Sequence, residues 1–363
     1  METTRPPKRS SLDLTQFESR KKSHLDLALD PRAQSEAGAG LERVSLRHDA
    51  LPELDWSDVD LSTTFLKRKL ATPFVVTGMT AGHASARELN RRLARACAKR
   101  GWVLGLGSQR RELESESPPI DAWSELGADF PGLPIVGNLG IAQAIRADAK
   151  ALRKLVANSG STAFALHLNS LQEAIQPEGT PQFRGGLAAI RKLARSLGAP
   201  LILKETGCGF SERTLAKLRE IPLLAVDVSG RGGTHWGRIE GLRADSQGAR
   251  LKAAVAETFR GWGIPTVESV IAARKRLRPA TEIWASGGVR TGLDAAKLIA
   301  LGAARVGFAK PALENAVLGE AELDAWMERI ETELRTAMFC MGYASVRDLR
   351  VQALKRGDVA YDG

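Results

Sequence analysis

The feature of this sequence that most constrains its fold is a regular alternation of short apolar runs with amphipathic stretches, beginning near residue 70. The runs are rich in β-branched or apolar residues and most end in turn-forming residues, as strands do. Helical patterns such as "SARELNRRLARACAKR" separate them. The eight runs are residues 73–80, 101–108, 133–140, 162–169, 200–207, 223–230, 264–269 and 282–288. Eight strand-then-helix units in about 240 residues predict an α/β fold, the TIM (β/α)8 barrel.

A doubly wound parallel sheet is the alternative for alternating strands and helices. A dinucleotide-binding sheet of that kind places a compact GxGxxG turn after its first strand, and here that position reads "TGMTAGHAS". Polar clusters instead follow many of the runs, and in a barrel the carboxyl ends of the strands form the catalytic face. The pattern therefore favours the barrel.

Two regions lie outside the repeat. Residues 1–70 are predicted to be an N-terminal extension with a short helix, and residues 71–363 a barrel with C-terminal helices. The helical pattern after about residue 315, "LGEAELDAWMERIETELRTAMFCMG", is expected to close the barrel or to pack on a neighbour.

Composition narrows the class of protein. The 363 residues are 43% hydrophobic and 26% charged, as in soluble globular proteins. No apolar run approaches the roughly 20 residues that span a bilayer. The N-terminus "METTRPPKRSSLDLTQFESRKK" has no apolar core of the kind that a signal peptide carries. We therefore expect a cytoplasmic protein whose cysteines, Cys97, Cys208 and Cys340, are reduced thiols.

The formal charge of +10 suggests an anionic partner. Nucleic acid, a membrane surface and a phosphorylated small molecule would each satisfy it. The basic residues are dispersed over helix-like stretches such as "RRLARACAKR", and few aromatic residues accompany them, which gives base stacking little support. The net charge alone therefore does not distinguish between these three partners.

A phosphate site is expected after the last predicted strand. There "ASGGVR" supplies Gly287 and Gly288, which let backbone amides approach a ligand closely, and the cation Arg290. Further on, "VGFAKP" (306–311) reads as a short strand ending at Lys310 before another helix. Loops after strands seven and eight of a barrel, with a helix N-terminus, frequently bind phosphate. Tight turns alone are the alternative explanation of the glycines.

Lys204 closes the predicted strand 200–207, where its ammonium would face the barrel mouth. Its neighbour Glu205 should point to the other side of the strand, so Lys204 needs a different partner. The N1/O2 edge of a flavin would fit, and a salt bridge within the barrel wall is the alternative. The loop within 227–240 offers the hydroxyl of Thr234, whereas His235 beside Trp236 is expected to pack rather than react.

Other strand ends carry positioning groups rather than activated nucleophiles. Ser108 and Arg110 follow the second predicted strand, and Asn138 follows the third. After the fourth, "HLNSLQEAIQPEG" (167–179) contains a His, an Asn, two Gln and two Glu. No nucleophile with an adjacent base is visible among these groups.

Nine motifs occur in order along most of the chain, from about residue 20 to 313: "RKKSHLDLAL", "TGMTAGH", "GSQR", "GNLG", "HLNSLQEAIQPEG", "KETGCGFS", "DVSGRGGTHW", "WGIPTVES" and "ASGGVRTGLDAAKLIALGA" with "GFAKP". Together they resemble the type 2 isopentenyl diphosphate isomerases, which are FMN-dependent TIM barrels. The "SGGVR" segment is shared by many FMN barrels, whereas "HLNSLQEAIQPEG" with an N-terminal "RKKSH" is more specific.

The resemblance implies an allylic rearrangement, from isopentenyl diphosphate to dimethylallyl diphosphate, with no net redox change. It implies reduced FMN as acid and base, NADPH as the reductant, and Mg²⁺ on the diphosphate. It also implies an isoprenoid-pathway enzyme that forms a homotetramer or homo-octamer, with no nucleic-acid or membrane partner. Residues 1–70 would then contribute to the substrate site.

The resemblance also implies roles for individual residues. Gly78, Met79 and Thr80 would line the N5 side of the flavin, while its ring and ribityl chain would contact Ser108, Asn138, Lys204, Ser211 and Thr234. The FMN phosphate would be bound by Gly287, Gly288, Arg290, Ala309 and Lys310. The substrate would be bound by Arg20, Lys21, His24, Ser108, Arg110, His167, Asn169 and Gln172. His167, Asn169 and Gln172 would be the catalytic candidates, and Glu173 would be the Mg²⁺ ligand. Whether Gln172 relays a proton or only positions the substrate stays open.

Other classes of protein fit less well. An FMN-dependent α-hydroxy-acid oxidase or dehydrogenase should carry a His near the end of strand seven, and "GIPTVES" has none. A purine-nucleotide dehydrogenase should carry a Cys after strand six, and "SGRGGTHWG" has none. A basic binding protein on a barrel scaffold would have no need for Lys204, Gln172 and Glu173 together.

Overall fold

Eight parallel strands close into a barrel in the computed structural model of the chain, which describes residues 23–80, 86–114 and 122–363. Around the ring the strands follow the order β10-β11-β4-β5-β6-β7-β8-β9, and β10 pairs with β9 to complete it. These strands are β4 Phe74–Val76, β5 Val103–Gly105, β6 Ile135–Gly140, β7 Ala163–Leu168, β8 Leu201–Glu205, β9 Ala225–Asp227, β10 Glu282–Ala285 and β11 Arg305–Phe308. The predicted TIM barrel is confirmed.

Two antiparallel strand pairs lie outside the barrel. The pair β1 and β12, Val44–Leu46 with Val359–Tyr361, joins the N-terminal extension to the end of the chain. The pair β2 and β3, Thr63–Phe65 with Arg68–Leu70, is a hairpin just before the first barrel strand. Short 3₁₀ helices span Pro31–Ala33, Leu41–Arg43 and Trp56–Asp58, and residues 23–29 are helical.

Helices follow the barrel strands and cover the outside of the ring. Their bounds are Arg87–Arg100, Arg110–Glu114, Ala122–Asp129, Ile141–Arg146, Ala149–Asn158, Ser170–Ile175, Gly186–Ser196, Glu212–Leu218, Trp236–Ser246, Arg250–Thr258, Thr266–Arg276, Gly292–Ala300, Lys310–Leu318, Glu320–Cys340 and Val346–Arg356. Within the part of the chain that the structure describes, no helix is long and apolar enough to cross a membrane.

One predicted strand is wrong, and the strand count shifts by one as a result. Residues 264–269 are the start of the Thr266–Arg276 helix rather than a strand, with Pro265 at the N-cap and Glu268 in the first turn. Pro has no N–H for a sheet ladder but suits the beginning of a helix. Strand seven of the barrel is β10, and strand eight is β11, which was expected only as an extra short strand.

The barrel interior is packed from its amino end. Small residues of β7 and β9 lie among larger ones such as Trp284, while Phe65 of the β2–β3 hairpin is fully buried against them. Arg305, the first residue of β11, donates to the Thr64 carbonyl oxygen at 2.6 Å and lies 4.8 Å from the Phe65 ring centroid. The hairpin therefore closes the amino end, and the carboxyl end is left for ligands.

The predicted C-terminal tail packs on its own barrel. Trp326 of the Glu320–Cys340 helix contacts Trp102 and Phe308, with ring centroids 5.8 and 5.4 Å apart. Arg100, at the end of the Arg87–Arg100 helix, pairs with Asp324 of the Glu320–Cys340 helix at 2.7 Å. These contacts hold the helix beside the strands that carry the cavity described next.

Candidate functional site

A cavity of about 410 Å³ opens at the carboxyl ends of the barrel strands. Its size is within the range of small-molecule and cofactor sites. Its lining includes most of the residues that the sequence predicted: His24, Gly78, Met79, Thr80, Ser108, Arg110, Asn138, His167, Asn169, Gln172, Glu173, Lys204, Thr234, Gly287, Gly288, Arg290, Ala309 and Lys310. The predictions for Arg20 and Lys21 lie outside the described residues.

Ser211 is the predicted ligand residue that the structure does not bring to the cavity. It is the N-cap of the Glu212–Leu218 helix, and its hydroxyl accepts a hydrogen bond from the Thr214 amide at 3.2 Å. Ser is a favoured N-cap because its oxygen satisfies an otherwise unpaired amide of the first turn. The residue therefore has a structural explanation, and the prediction that it contacts a cofactor is not supported.

The ends of β10 and β11 form a cradle of backbone. Gly287 and Gly288 have φ values of 97° and 76°, and a Cβ on either would collide with backbone atoms of residues 230–232. Thr266 fixes the turn by donating its hydroxyl to the Gly287 carbonyl at 2.6 Å. Beside the turn, Lys310 begins the Lys310–Leu318 helix, whose N-terminal amides and dipole favour an anion. The cradle fits a phosphate group.

Arg329 is a cation at this end of the cavity that sequence reasoning missed. It belongs to the Glu320–Cys340 helix and lines the cavity with Arg290 and Lys310. Nothing local in the sequence marks it, because its role depends on how the C-terminal helix packs across the barrel.

Lys204 meets a carboxylate within the barrel wall. Its Nζ lies 3.5 Å from Asp227 Oδ2 and donates to the Glu205 carbonyl oxygen at 3.1 Å. Lys204 and Asp227 are in register on β8 and β9, so their side chains point to the same side. The alternative of a wall salt bridge is thus observed, and Lys204 also lines the cavity.

Glu205 points away from Lys204, as predicted. Its carboxylate accepts hydrogen bonds from backbone amides of the next loop, including Thr206 at 2.7 Å and Gly209 at 3.2 Å. Burial raises the pKa of Glu205 to about 7, against the lowering effect of these amides. Burial also raises the pKa of the Cys208 thiol in that loop, which argues against a reactive cysteine. All three cysteines are free thiols, as expected.

His167 and Asn138 form a fixed pair at the ends of β7 and β6. Asn138 donates its amide to the Leu106 carbonyl at 3.1 Å, which leaves Oδ1 to accept from His167 Nδ1 at 2.9 Å. With Asn138 in that orientation, His167 Nδ1 is the donor of this hydrogen bond, and the His167 ring lines the cavity.

Gln172 and Glu173 lie on the short Ser170–Ile175 helix after β7. The Asn169 amide donates to Gln172 Oε1 at 3.2 Å and to Glu173 Oε1 at 3.1 Å. Glu173 Oε2 accepts from the Thr180 amide at 2.6 Å. Gln172 Nε2 in turn donates to Glu240 Oε1 at 3.0 Å. Both ends of the Gln172 amide are thus held, which fixes its orientation.

Glu240 is the most deeply buried acid beside the site, and sequence reasoning missed it. It is 0% exposed and lies 2.9 Å from His24 Nε2, with Arg243 as a second partner. Burial alone would raise the pKa of Glu240, but His24 and Arg243 outweigh it and lower the pKa to about 2. One sequence feature could have pointed to Glu240. It is four residues after Trp236 on the same helix, so the two side chains share one helix face, and Trp236 also contacts His24.

His235 has the structural role that was expected of it. It is buried and is the N-cap of the Trp236–Ser246 helix, where Nδ1 accepts from the Arg238 amide at 3.1 Å. Burial lowers its pKa, so the ring is neutral near pH 7.

Thr234 Oγ1, Asn169 Oδ1 and Gln34 Nε2 are buried atoms of lining residues that have no hydrogen-bond partner among the described residues. Leaving such atoms unpaired costs free energy, so they are atoms that a ligand would satisfy. Together with the glycine cradle and Lys204, Thr234 fits a phosphorylated, ring-bearing cofactor such as FMN. Asn169 Oδ1 and the Glu173 carboxylate are oxygen donors of the kind that Mg²⁺ prefers.

Solved structures that match this fold include mandelate oxidase and flavocytochrome b2. Mandelate oxidase with (S)-2-phenylpropionate matches with a TM-score of 0.61 at 19% identity, covering 94% of this chain and 97% of that one. A mutant flavocytochrome b2 with benzoylformate matches with a TM-score of 0.63 at 18% identity, covering 93% of this chain and 84% of that one. At such identity the likeness shows the fold alone.

Sequence relatives are more specific. An isopentenyl-diphosphate delta-isomerase of Legionella pneumophila (strain Corby) is 48% identical over 341 residues, covering 94% of this chain and 98% of the relative. Proteins of the same name from Bdellovibrio bacteriovorus and Halobacterium salinarum are 46% and 42% identical, each over 93% of this chain. The family model of FMN-dependent dehydrogenases matches residues 143–356. The chain therefore belongs to the isopentenyl-diphosphate delta-isomerases and carries the barrel of the FMN-dependent dehydrogenase family.

Proposed function

We propose that this chain converts isopentenyl diphosphate to dimethylallyl diphosphate with reduced FMN and Mg²⁺, as an isomerase of isoprenoid biosynthesis. The observation that carries the proposal is that two chemically different groups of residues lie on opposite sides of one cavity. The phosphate cradle lies at β10 and β11, and the polar group His167, Asn169, Gln172 and Glu173 follows β7. In the ring order β7 lies four strands from β11, which is across the barrel.

The cofactor would occupy the cradle side. Reduced FMN, when bound, would supply the acid and base of the rearrangement. Gly287, Gly288 and Lys310 would hold its phosphate through backbone amides and charge. Thr234 would supply a hydroxyl to it, and Lys204 would face the polar edge of its ring.

The substrate diphosphate would bind on the opposite side. Arg110 and the imidazole of His167 line that wall, and Arg20 and Lys21 are proposed to join them from the N-terminal arm. A diphosphate held at both ends by charge-assisted hydrogen bonds would fix the five-carbon chain between the polar wall and the ring.

Glu173 is proposed to be the protein ligand of Mg²⁺. Its carboxylate is already held by Asn169 and Thr180, so it would not need to reorganise on binding the ion. Among the described residues no cluster of three acidic, His or Cys side chains could hold a metal. The remaining ligands would be phosphate oxygens and water, an arrangement that Mg²⁺ commonly adopts.

Gln172 is proposed to orient the alkene. Asn169 and Glu240 hold the two ends of its amide, so the group would meet the substrate in one orientation only. The Glu240 carboxylate, charged between His24 and Arg243, also gives Gln172 a partner through which a proton could pass. Comparing variants of Glu240 and Gln172 would distinguish a Gln172 side chain that only positions the substrate from one that also relays a proton.

The hydroxy-acid oxidase alternative receives no support from the site. With the strand order corrected, the segment after strand seven is "SGGVRTG" (286–292), which also lacks the expected His. The likeness to mandelate oxidase therefore concerns the barrel.

We further propose NADPH as the reductant, a cytoplasmic location, and a homotetramer or homo-octamer. Size-exclusion chromatography with light scattering would measure the assembly state. A measured mass equal to that of one chain would contradict the proposed homo-oligomer.

The proposed function is tested by purifying the chain with FMN and assaying it without oxygen. We expect a yellow protein that bleaches with NADPH or dithionite and then forms dimethylallyl diphosphate from isopentenyl diphosphate when Mg²⁺ is present. Chelating Mg²⁺ should remove the activity reversibly. A protein that binds no FMN, or that forms no dimethylallyl diphosphate when reduced, would contradict the proposal.

A further inference from the structure

Asp227 is a buried acid for which none of the roles above accounts, and it lines a small pocket that shares Lys204 and Asn138 with the site cavity. It is the last residue of β9 and is 4% exposed. Its Oδ1 accepts hydrogen bonds from Ser286 Oγ at 2.7 Å and from the Ser229 amide at 3.3 Å. Its Oδ2 faces the Lys204 ammonium at 3.5 Å. The carboxylate is therefore fixed by two strands and directed at one cation.

Lys204 is held between Asp227 and the barrel backbone. One N–H donates to the Glu205 carbonyl oxygen at 3.1 Å, and the Asp227 carboxylate lies on another side. The Glu205 side chain faces the opposite way, toward the amides of Thr206 and Gly209. Within the described residues, Asp227 is thus the carboxylate that meets Lys204 where it borders the cavity.

The charge of this pair matters to any ring placed beside it. A lone ammonium with little water around it would strongly favour negative charge on the adjacent ring edge. A carboxylate fixed beside the ammonium offsets most of that field. A buried acid is costly to retain unless it is paired, and the ion-pair partner of Asp227 is Lys204 itself, so the two side chains act together on any ring placed beside them.

We propose that Asp227 is a positioning residue that offsets the charge of Lys204, and so limits how far the protein stabilises negative charge on the N1/O2 edge of reduced FMN. The inference rests on the proposed function, because it requires FMN in this cavity. A reduced flavin that is held less strongly as an anion keeps its N1 proton to higher pH, so more of the bound cofactor stays in the protonated form that acid catalysis of an allylic isomerisation needs.

The test measures the bound, reduced cofactor rather than turnover. Wild-type protein and the Asp227→Asn variant are loaded with FMN, reduced with dithionite without oxygen, and titrated with pH while the absorbance of the reduced flavin is recorded. In Asp227→Asn we expect the pKa of bound reduced FMN to fall by about one unit, a tenfold change in the equilibrium. The midpoint potential of bound FMN should rise. An unchanged or raised pKa would overturn the inference.

A second variant keeps the test decisive if Asp227→Asn does not fold. The double variant Lys204→Gln with Asp227→Asn removes both charges together and leaves no unpaired ion in the barrel wall. If Asp227 offsets Lys204, the pKa of reduced FMN in the double variant should lie near the wild-type value, while Lys204→Gln alone should raise it. A double variant that matches Lys204→Gln alone would overturn the inference.

Ser286→Ala is the matched control. It removes the 2.7 Å hydrogen bond to Asp227 without changing any charge. We expect a much smaller pKa change than in Asp227→Asn, and an equal change would show that geometry rather than charge is responsible, which also overturns the inference. A wild-type protein that binds no FMN contradicts the proposed function, whereas one that binds FMN with an unaffected titration contradicts only the role of Asp227.

Discussion

Glu240 shows how a single buried charge can serve both stability and the site. His24 and Arg243 surround its carboxylate, which receives the Gln172 amide on the cavity side. An acid whose pKa is lowered in the folded protein stabilises the fold above its unfolded pKa, and that stabilisation is lost as the pH falls. For Glu240 the loss runs from about pH 4.5 down to about 2.

Replacing Glu240 with Gln keeps the shape but removes this charge. A pKa lowered from 4.5 to about 2 corresponds to about 3 kcal/mol of folding free energy at pH 7. We expect Glu240→Gln to lose about this much in urea unfolding at pH 7 and to lose less at pH 3, where wild type has itself been weakened. Asp245→Asn, an exposed acid on the same helix, is the control. Equal free energies of unfolding for wild type and Glu240→Gln at pH 7 would contradict the assignment.

Gln172 is the residue through which Glu240 contacts the cavity, and Asn169, which lines the cavity itself, holds the other end of the Gln172 amide. Since both partners fix its amide, Gln172→Ala should remove the oriented contact to the substrate while the cofactor cradle stays intact. We expect turnover to fall at least about a hundredfold, with FMN affinity within twofold of wild type.

Gln182→Ala, at an exposed position on the same stretch of chain, serves as the control for the Gln172 variant and should retain wild-type turnover. Steady-state assays and fluorescence titration with FMN measure the two quantities separately. Full activity in Gln172→Ala would refute its role, and equal loss in both variants would point to a general defect.

The loop after β10 is the element on which cofactor binding depends. Gly288 has a φ of 76°, and a Cβ there would meet the Gly232 backbone. Gly248 has nearly the same φ, 74°, but a Cβ there would meet no atom within 4 Å. The two glycines therefore separate backbone strain from collision.

Gly288→Ala and Gly248→Ala should each lose about 1 kcal/mol of stability from the left-handed backbone alone. Gly288→Ala should in addition lose at least about tenfold in FMN affinity, because residues 230–232 must move away from the cradle. Gly248→Ala should bind FMN as wild type does. Isothermal titration with FMN decides the matter, and wild-type affinity in Gly288→Ala would show that the cradle does not hold the phosphate.

The sequence predicts correctly whether a segment is a strand or a helix wherever the local residue pattern agrees with the place of that segment in the fold. The apolar runs that become β4 to β9 are followed by helical patterns, and this alternation was sufficient to predict those runs as strands. The run at 264–269 failed because a β-branched pair after a proline is equally suited to a helix start, as Pro265 and Thr266 show. The short strand Arg305–Phe308 closes the ring only through pairing with Phe74–Val76, which local sequence cannot reveal.

At the scale of the whole molecule, the barrel itself explains why so much of the site could be predicted. Parallel strands bring their carboxyl ends to one face, so residues distant in sequence, such as Asn138 and Gly288, line one cavity. Asp227, Glu240 and Arg329 were missed for the complementary reason. The roles of Glu240 and Arg329 depend on helix packing, and Asp227, although it ends β9, acquires its role from its register with Lys204.

The central claim is that the molecule is an isomerase that requires reduced FMN yet consumes no electrons. The most direct measurement reduces the FMN-loaded protein with one equivalent of dithionite per flavin, without oxygen, and counts dimethylallyl diphosphate formed from isopentenyl diphosphate in the presence of Mg²⁺. We expect no product from the oxidised protein and many turnovers per flavin from the reduced protein, with the flavin still reduced at the end. Product that stops at one per flavin as the flavin reoxidises, or product formed equally by the oxidised protein, would contradict the account.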